Sequence, residues 1–246
     1  MLKIKTLYLV ILLPFLLVAA LCLLSAKKGI SKTIEETKPA QLNFAGERIT
    51  YDVRLGMIYL GKAQFNNLPN EQLNGKTLNV MTLETRVTRF TDTEKIYSDI
   101  DTFLPARVER DILKLLLREK IIEEYDQIKF AVTITKNSGS KEPEKLVIQK
   151  DSPIHNAVLL PYSVRRIPNL EIGKTIIANL PVRRLEIKLV SIEEITVPAG
   201  TFKAYHFAST PKQIEIWISA DERRIPLKIQ SSDLFGYSLV MSGYAF

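Results

Sequence analysis

Cysteine and histidine are scarce in this sequence, and their scarcity argues against two common kinds of site. Cys22 is the only cysteine among 246 residues, so the chain has no intramolecular disulfide. His155 and His206 are the only histidines, and they lie far apart along the chain. A zinc site needs several such ligands at short spacing. The sequence therefore predicts no metal cluster, and we expect no cofactor.

Positive charge is in small excess once the N-terminal residues are set aside. The formal net charge is +7, from 34 basic and 27 acidic residues. Four of the lysines lie in the first 28 residues, which contain no acid, so the remainder carries 30 basic and 27 acidic side chains, a net of +3. So mild a surplus gives no case for a nucleic-acid partner.

Motifs of catalysis and nucleotide binding are missing as well. The chain has no Gly-x-Ser-x-Gly elbow, phosphate loop, glycine-rich dinucleotide turn or His-Glu-x-x-His helix. Ser152 precedes His155 by three positions, but a serine directly before a proline is typical of a helix cap. Asp99 and Asp101 would share one face of a strand, and a solvated edge is the simpler explanation. The sequence therefore favours a protein that is not an enzyme.

What the sequence does have begins with an uncharged, apolar run at residues 7–26. At about 1.5 Å per residue, such a helix spans the roughly 30 Å hydrocarbon core of a membrane. Lys3 and Lys5 precede it like the basic start of an export signal. An uncleaved signal anchor, a cleaved signal peptide and a lipoprotein modified at Cys22 are the alternatives, and Leu21 stands where a lipoprotein needs a small residue.

We therefore expect a protein of the periplasm or cell envelope, held in the inner membrane by residues 7–26, with cleavage and secretion as the alternative. Residues 1–28 are assigned to the signal anchor or signal peptide. Residues 29–43 are polar and contain Pro39, which is typical of a linker. Residues 44–246 are assigned to a single β-rich exported domain.

Alternation of apolar and polar side chains is the main structural signal in that domain. It is clearest at residues 214–218 and 225–229, which flank a charged connection of hairpin length. Trp217, the only tryptophan, is out of phase with Ile216 and Ile218, so its ring should lie on the opposite face. Strands at short intervals predict a mainly β fold, a curved antiparallel sheet forming an open or half barrel with one or two short helices, after the N-terminal helix.

Two segments of the domain have patterns that favour a helix and not a strand. At residues 107–125, apolar residues recur at spacings of three and four, which favours an amphipathic helix. Ser152 and Pro153 predict the cap and first residue of a short helix over residues 154–160, which Pro161 should end.

The motifs resemble a family of exported bacterial envelope proteins known only as a domain of unknown function. The resemblance rests on Val-Pro-Ala-Gly-Thr-Phe at residues 197–202 and Ile-Trp-Ile-Ser at residues 216–219, and it covers residues 44–246. It implies a secreted or envelope-associated β-rich protein without assigned catalytic residues. It also implies extended hairpin arms at residues 107–125, so helix and hairpin both stay open there. The Trp217 hairpin is distantly similar to that of periplasmic lipoprotein carriers, which are half-barrels with an apolar cavity.

Two functions from different classes follow. In the first, the half-barrel binds a lipid, lipopeptide or glycolipid, with Trp217 along the cavity wall. The anionic head group of this ligand would bind to three arginine pairs, because forked guanidinium groups suit phosphate and carboxylate. The pairs are Arg165 and Arg166, Arg183 and Arg184, and Arg223 and Arg224. In the second, the sheet is fully packed and a strand edge binds another envelope protein. A glycan hydrolase using Asp99 and Asp101 is a third hypothesis.

Overall fold

The computed structural model describes residues 44–115, 117–139, 142–231 and 237–246, in which the chain forms one antiparallel sheet of 14 strands. The strands are β1 (Arg48–Leu55), β2 (Ile58–Leu73), β3 (Lys76–Val87), β4 (Phe90–Asp99), β5 (Pro105–Lys114), β6 (Leu117–Asp126), β7 (Ala131–Asn137), β8 (Glu144–Gln149), β9 (Thr175–Leu180), β10 (Arg183–Val197), β11 (Gly200–Thr210), β12 (Ile214–Ser219), β13 (Pro226–Ser231) and β14 (Tyr237–Ala245). A 3-10 turn (Ala157–Leu159) and a short helix α1 (Leu160–Arg165) lie between β8 and β9.

The predicted membrane segment and linker, residues 1–28 and 29–43, lie outside the described residues. Within the described part of the chain, no helix is both long and apolar enough to cross a membrane.

The strand order shows two meanders joined along one seam. From one edge to the other, the order is β8 down to β1, then β14 down to β9. We call strands β1–β8 the first meander and strands β9–β14 the second meander. The seam is the pairing of the first strand with the last, for example Ile49 opposite Tyr244 and Val53 opposite Leu239. Strands β8 and β9 are the two ends of this order and do not pair with each other. The sheet is therefore open, which confirms the predicted open, mainly β architecture.

The sheet is curved, so that residues on its inner face from both meanders pack into one core. Leu83 and Val108 from one meander belong to the same buried cluster as Ile187 and Phe207 from the other. Strands so far apart in the order can share a core only when the sheet bends the two arms toward each other. A second, smaller cluster around Ile112 lies under β5 to β8.

The connection between β8 and β9, residues 150–174, which we call the connector, fills the concave side of the sheet. Leu159, Tyr162 and Val164 are buried in the main cluster. The ring of Tyr162 packs against Phe44 and Phe65, with centroids 5.2 and 5.9 Å apart. These aromatic contacts hold α1 against β2 and the residues that precede β1. The interior of the half-barrel is therefore occupied by the protein's own chain.

Residues 107–125 form the hairpin β5–β6 and not a helix. Ile112 and Ile121 are buried on the inner face, whereas Leu113 and Leu117 are exposed. Apolar residues on both faces of two paired strands reproduce spacings of three and four, and that misled the periodicity argument. The hairpin implied by the family resemblance is the correct interpretation.

The predicted helix over residues 154–160 is shifted along the chain. Asn156, and not Ser152, caps the 3-10 turn, since its side chain accepts a hydrogen bond from the Val158 N–H. Pro161 lies in the first turn of α1 and does not end a helix. Proline fits there because the first helical N–H groups have no intrahelical partner.

The hairpin predicted around Trp217 is confirmed as β12 and β13. Ile216 lies opposite Ile229, and Trp217 lies opposite Lys228. Alternation along β12 places the Trp217 ring on the face opposite to Ile216 and Ile218, as the sequence predicts.

Candidate functional site

A buried ion pair fixes α1 to the start of the sheet. Arg165, the last residue of α1, donates from Nη1 and Nη2 to the two carboxylate oxygens of Glu47, each at 2.7 Å. Both side chains are almost completely buried. The guanidinium carbon also lies 4.2 Å from the centre of the Phe44 ring. A bidentate pair of this kind compensates both charges, so Arg165 has a structural role inside the protein.

Two of the three arginine pairs meet at the end of α1. Arg165 donates to the Arg223 carbonyl at 2.9 Å, and Arg224 donates to the carbonyls of Arg165 and Ile167 at 2.7 and 2.5 Å. Arg166 donates to the Asp101 carbonyl. Basic side chains commonly satisfy the free carbonyls at a helix C terminus.

The third pair lies elsewhere. Arg183 and Arg184 begin β10, opposite Leu180 and Asn179 of β9. The β9–β10 turn is at the end of the sheet where β12 begins, whereas Arg223 and Arg224 follow the end of β12. The three pairs therefore do not converge on one place, and a ligand-binding role for any of them stays a prediction.

Trp217 is covered by its own neighbours on the outer face. His206 stacks on its ring with centroids 4.1 Å apart and an interplanar angle of 10°. The indole N–H donates to Glu193 at 2.7 Å, and the Lys228 ammonium lies 4.6 Å from the ring centre. The hydrogen bond from Trp217 is the main cause that lowers the pKa of Glu193. The ring thus faces away from the concave interior.

A polar cluster on the concave face was missed by sequence reasoning. Arg110 donates from Nε to both carboxylate oxygens of Asp92 at 2.9 Å, and its Nε lies 3.4 Å from Glu94. On the next strand, the Tyr125 hydroxyl donates to Glu123. Burial raises the pKa of Glu94 to about 8 against the opposing effect of Arg110, and it also raises the pKa of Glu123.

A signal for this cluster exists in the sequence. Asp92 and Glu94 are in phase with the buried Ile96, and Arg110 lies between the buried Val108 and Ile112. Alternation alone therefore places these charges on the core face. Strong pKa perturbation in a concave region often marks a functional site, although structural ion pairs perturb pKa values too.

Asp99 and Asp101 do not form a carboxylate pair across a cleft. Asp99 ends β4 and accepts hydrogen bonds from the N–H groups of Asp101 and Thr102 at 3.1 and 2.8 Å. Partial burial opposes these bonds, but together the hydrogen bonds lower the pKa of Asp99. Asp101 lies in the turn after the strand, so the two do not share a strand face. Among the described residues, no group of His, Cys, Asp and Glu is arranged to hold a metal ion.

A small pocket opens between the connector and the second meander. Leu160, Leu180 and Ile214 form apolar walls, and Arg183 and Gln213 supply its polar side. Its volume of about 20 Å³ holds roughly one water molecule. This is far smaller than the cavity expected for a lipid carrier.

The two edges of the sheet differ. The edge of β9 is partly closed by the connector, because the His155 N–H donates to the Asn179 carbonyl at 2.8 Å and the Asn179 N–H donates to His155 Nδ1 at 3.1 Å. No residue in the described part of the chain pairs with the outer edge of β8. One edge is thus sealed at Asn179 by the protein itself, and the other offers a row of backbone groups.

Residues 50–242 match the model of a family described as "Protein of unknown function (DUF3108)". No curated protein matches the sequence. Among solved structures, a β-barrel-like protein of domain of unknown function DUF1849 from Brucella abortus is similar, with 9% identity, coverage of 82% of this chain and 98% of that chain, and a TM-score of 0.48. A Bacteroides fragilis protein with a YmcC-like fold, provisionally designated as exported, has 10% identity, coverage of 85% and 100%, and a TM-score of 0.31.

Proposed function

The chain belongs to the family described as protein of unknown function (DUF3108), and from that premise we propose a role that rests on its own geometry. We propose that it is a non-enzymatic adaptor of the bacterial cell envelope, which binds an extended segment of another protein along the edge of β8. The observation that carries this proposal is the outer edge of β8, with which no described residue pairs, beside an interior filled by the connector.

The pairing register identifies the backbone groups that a partner would meet. The Lys150 N–H donates to the carbonyl of Phe130, the residue just before β7, at 2.8 Å. Because antiparallel bonding alternates, Ile148 and Leu146 also bond inward to β7. The N–H and C=O groups of Lys145, Val147 and Gln149 therefore point outward. An added strand would use these groups, as in other complexes formed by β-augmentation.

The side chains of β8 suit an amphipathic partner strand. Leu146 and Ile148 pack against the smaller apolar cluster on the inner face. Val147 is largely exposed on the outer face, next to Lys145. A strand with apolar side chains at alternate positions would extend the inner cluster, while its other face would stay in water. Lys145 and Glu144 limit indiscriminate pairing, since charges on an edge strand discourage aggregation.

Export and anchoring are part of the same proposal. The apolar run at residues 7–26 would deliver the chain to the envelope and hold it in the inner membrane. A tethered β domain with a free edge would then act where its partner is located, and the chemistry of catalysis is not needed for that role.

Replacement of Val147 tests the edge directly. Val147→Pro removes the central outward N–H without removing a bond to β7, and proline is tolerated on an edge strand with its nitrogen toward solvent. Val147→Thr keeps both the N–H and the branched shape, so it is the matched control. With a photo-crosslinking amino acid in place of Lys145 in the full chain, we expect one discrete adduct in native envelopes.

That adduct should survive Val147→Thr and fall by about tenfold in Val147→Pro, because one lost hydrogen bond with its desolvation cost is worth about 1.4 kcal/mol. Its mass identifies the partner, or a second copy of this chain. Equal adducts in both variants, or none in either, would contradict binding through the β8 edge.

A second candidate is binding of an amphipathic ligand, and the pocket beside Arg183 is the observation that favours it. Its apolar walls and single arginine match a head group with a short apolar tail. The pocket would have to widen to admit a lipid. A lipid retained by the full chain in a native mass spectrum, and lost on Arg183→Gln, would favour this candidate over the adaptor.

A further inference from the structure

Three alternate hairpin turns lie side by side at one end of the first meander. They are the turns β1–β2, β3–β4 and β5–β6, which share an end because successive strands are antiparallel. Gly61 lies opposite Val87, Phe90 lies opposite Lys114, and the Leu115 N–H donates to the Arg89 carbonyl at 2.9 Å. Strands are about 4.8 Å apart, so neighbouring turns are about 10 Å apart. We refer to residues 55–60, 86–90, 113–115 and 117–118 as the hairpin rim.

The hairpin rim exposes an unusual amount of apolar surface. Met57 is 96% exposed, Leu117 is 74% exposed and Leu115 is 64% exposed. Ile58, Tyr59 and Leu113 beside them are exposed as well. Single exposed apolar residues are ordinary, but clustered ones commonly mark an interaction site.

The backbone conformation of Leu115 is unfavourable as well as the exposure of its side chain. Its φ of 56° lies in the left-handed region, where a leucine side chain is disfavoured by about 1–2 kcal/mol. Asparagine or glycine at this position would relieve the backbone strain and remove the exposed apolar surface together. A residue that is unfavourable for both backbone and solvation points to a role outside the stability of the free protein.

The charges of the hairpin rim all have one sign. Arg86, Arg89, Lys114 and Arg118 lie within it, and it contains no acidic residue. The nearest carboxylates lie just outside it: Glu84 is 3.3 Å from Arg86, Asp111 contacts Arg118, and Glu119 is 3.9 Å from Lys114. Exposed ion pairs of this kind are weak, so the cations stay available to a stronger anionic partner.

We propose that the hairpin rim docks on the surface of a lipid bilayer with anionic head groups. Exposed apolar tips with a fringe of lysine and arginine have the two components of interfacial binding: burial in the acyl boundary and attraction to anionic lipid. Tyr59 adds an aromatic ring with a polar end, which favours the same depth. A second copy fits less well, because two such rims would bring like charges together.

The geometry of the chain permits this docking on the same membrane in which we propose that residues 7–26 are anchored. The described part of the chain begins at Phe44, at the end of the sheet away from the rim. The predicted linker of residues 29–43 reaches up to about 50 Å when extended. Strand β1, with eight residues, is about 27 Å long. The linker is thus long enough for the domain to lie with its rim against the bilayer.

The test uses the full chain reconstituted in vesicles, with Cys22→Ser and a single labelling site. Met57→Cys reports on the rim, and Ile128→Cys is the matched control, because Ile128 is 89% exposed in the β6–β7 turn at the opposite end. Each site carries a polarity-sensitive fluorophore, and the vesicles contain nitroxide-labelled lipid. In phosphatidylglycerol-rich vesicles we expect quenching at position 57 to exceed that at position 128 by about twofold or more, since interfacial residues insert by roughly 5–10 Å.

Two variants separate docking from mere proximity to the anchored segment. Leu115→Asn suits the left-handed backbone, so it should keep the fold and reduce the quenching at position 57. The pair Arg89→Gln and Lys114→Gln should remove the preference for phosphatidylglycerol over phosphatidylcholine vesicles. Circular dichroism verifies folding of each variant. Three outcomes would each overturn the proposal. They are equal quenching at positions 57 and 128, quenching that these substitutions do not change, and crosslinks between two copies of the chain at position 57.

Discussion

At the scale of single residues, two buried arginines differ in the number of carboxylate groups that surround them. Arg165 faces one carboxylate, Glu47, in a bidentate pair. Arg110 faces Asp92 and Glu94, with Glu123 near on the next strand. Three carboxylates around one guanidinium leave an excess of negative charge in a region from which water is largely excluded. The protein avoids this excess by raising the pKa of Glu94 to about 8, chiefly through burial, so that this carboxyl group is protonated near neutral pH.

This raised pKa predicts a pH-dependent stability. Between about 4.5 and about 8, the folded chain keeps a proton on Glu94 that the unfolded chain has released, so the free energy of unfolding falls as pH rises through this window. Glu94→Gln removes the titration and should be more stable than the unmodified protein at pH 8 by about 1 kcal/mol or more, or about 2–4 °C in Tm for each kcal/mol.

The two proteins should differ little at pH 4.5. Denaturant unfolding followed by Trp217 fluorescence across this range provides the measurement. Glu124→Gln, at an exposed position on β6, is the control for removing a carboxylate outside this cluster. A Glu94→Gln slope equal to that of the unmodified protein would show that another group governs the dependence.

At the scale of elements, the close approach of β2 and β3 depends on one glycine. A Cβ atom at Gly61 would lie 2.1 Å from the Arg86 carbonyl oxygen and 2.9 Å from the Val87 Cα. Both neighbours are backbone atoms, so the clash cannot be relieved by a side-chain rotation. Gly61→Ala should therefore force β2 and β3 apart and cost about 3 kcal/mol or more.

Gly56 provides the comparison at a neighbouring turn. Its φ is +57°, and a Cβ there would meet nothing within 4 Å. Gly56→Ala should thus cost only the left-handed strain, about 1–2 kcal/mol. Thermal melts rank the two variants, and hydrogen exchange shows whether β2 and β3 amides lose protection selectively in Gly61→Ala. A smaller loss for Gly61→Ala than for Gly56→Ala would contradict the packing argument.

Alternation predicted the elements well where apolar residues recur regularly at every second position of a strand. Around Trp217 it gave the hairpin and the face of the ring. It failed at residues 107–125, because Ile112 faces the core while Leu113 and Leu117 face solvent, and such two-sided hairpins imitate helical spacing. The interior connector was equally hard to foresee. Its contacts, such as Arg165 with Glu47, join residues 118 positions apart, and sequence periodicity carries no information on them.

At the scale of the whole molecule, the seam between β1 and β14 holds two meanders together. Tyr51 donates across 175 residues to the Pro226 carbonyl at 2.8 Å, and Leu239 and Met241 enter the same core as Ile49 and Val53. Within each meander, strands that are neighbours in the sheet are also consecutive in the sequence. The seam is the pairing that must bring the two ends of the described chain together, so the loop-closure entropy of the fold is concentrated there.

This arrangement predicts that the fold requires the seam strand β14 but tolerates a substitution in the edge strand β8. A chain that ends before Tyr237 lacks β14, so β1 and β13 both become unpaired edges inside the former sheet, and the buried Leu239 and Met241 are missing. We expect it to show no cooperative thermal transition and to aggregate, because exposed apolar edges pair between molecules. A chain with Val147→Pro in the outer strand β8 should keep a cooperative transition near that of the unmodified protein. Circular dichroism melts and size-exclusion chromatography distinguish the cases, and a cooperative monomeric chain without β14 would mean that the first meander folds without the seam.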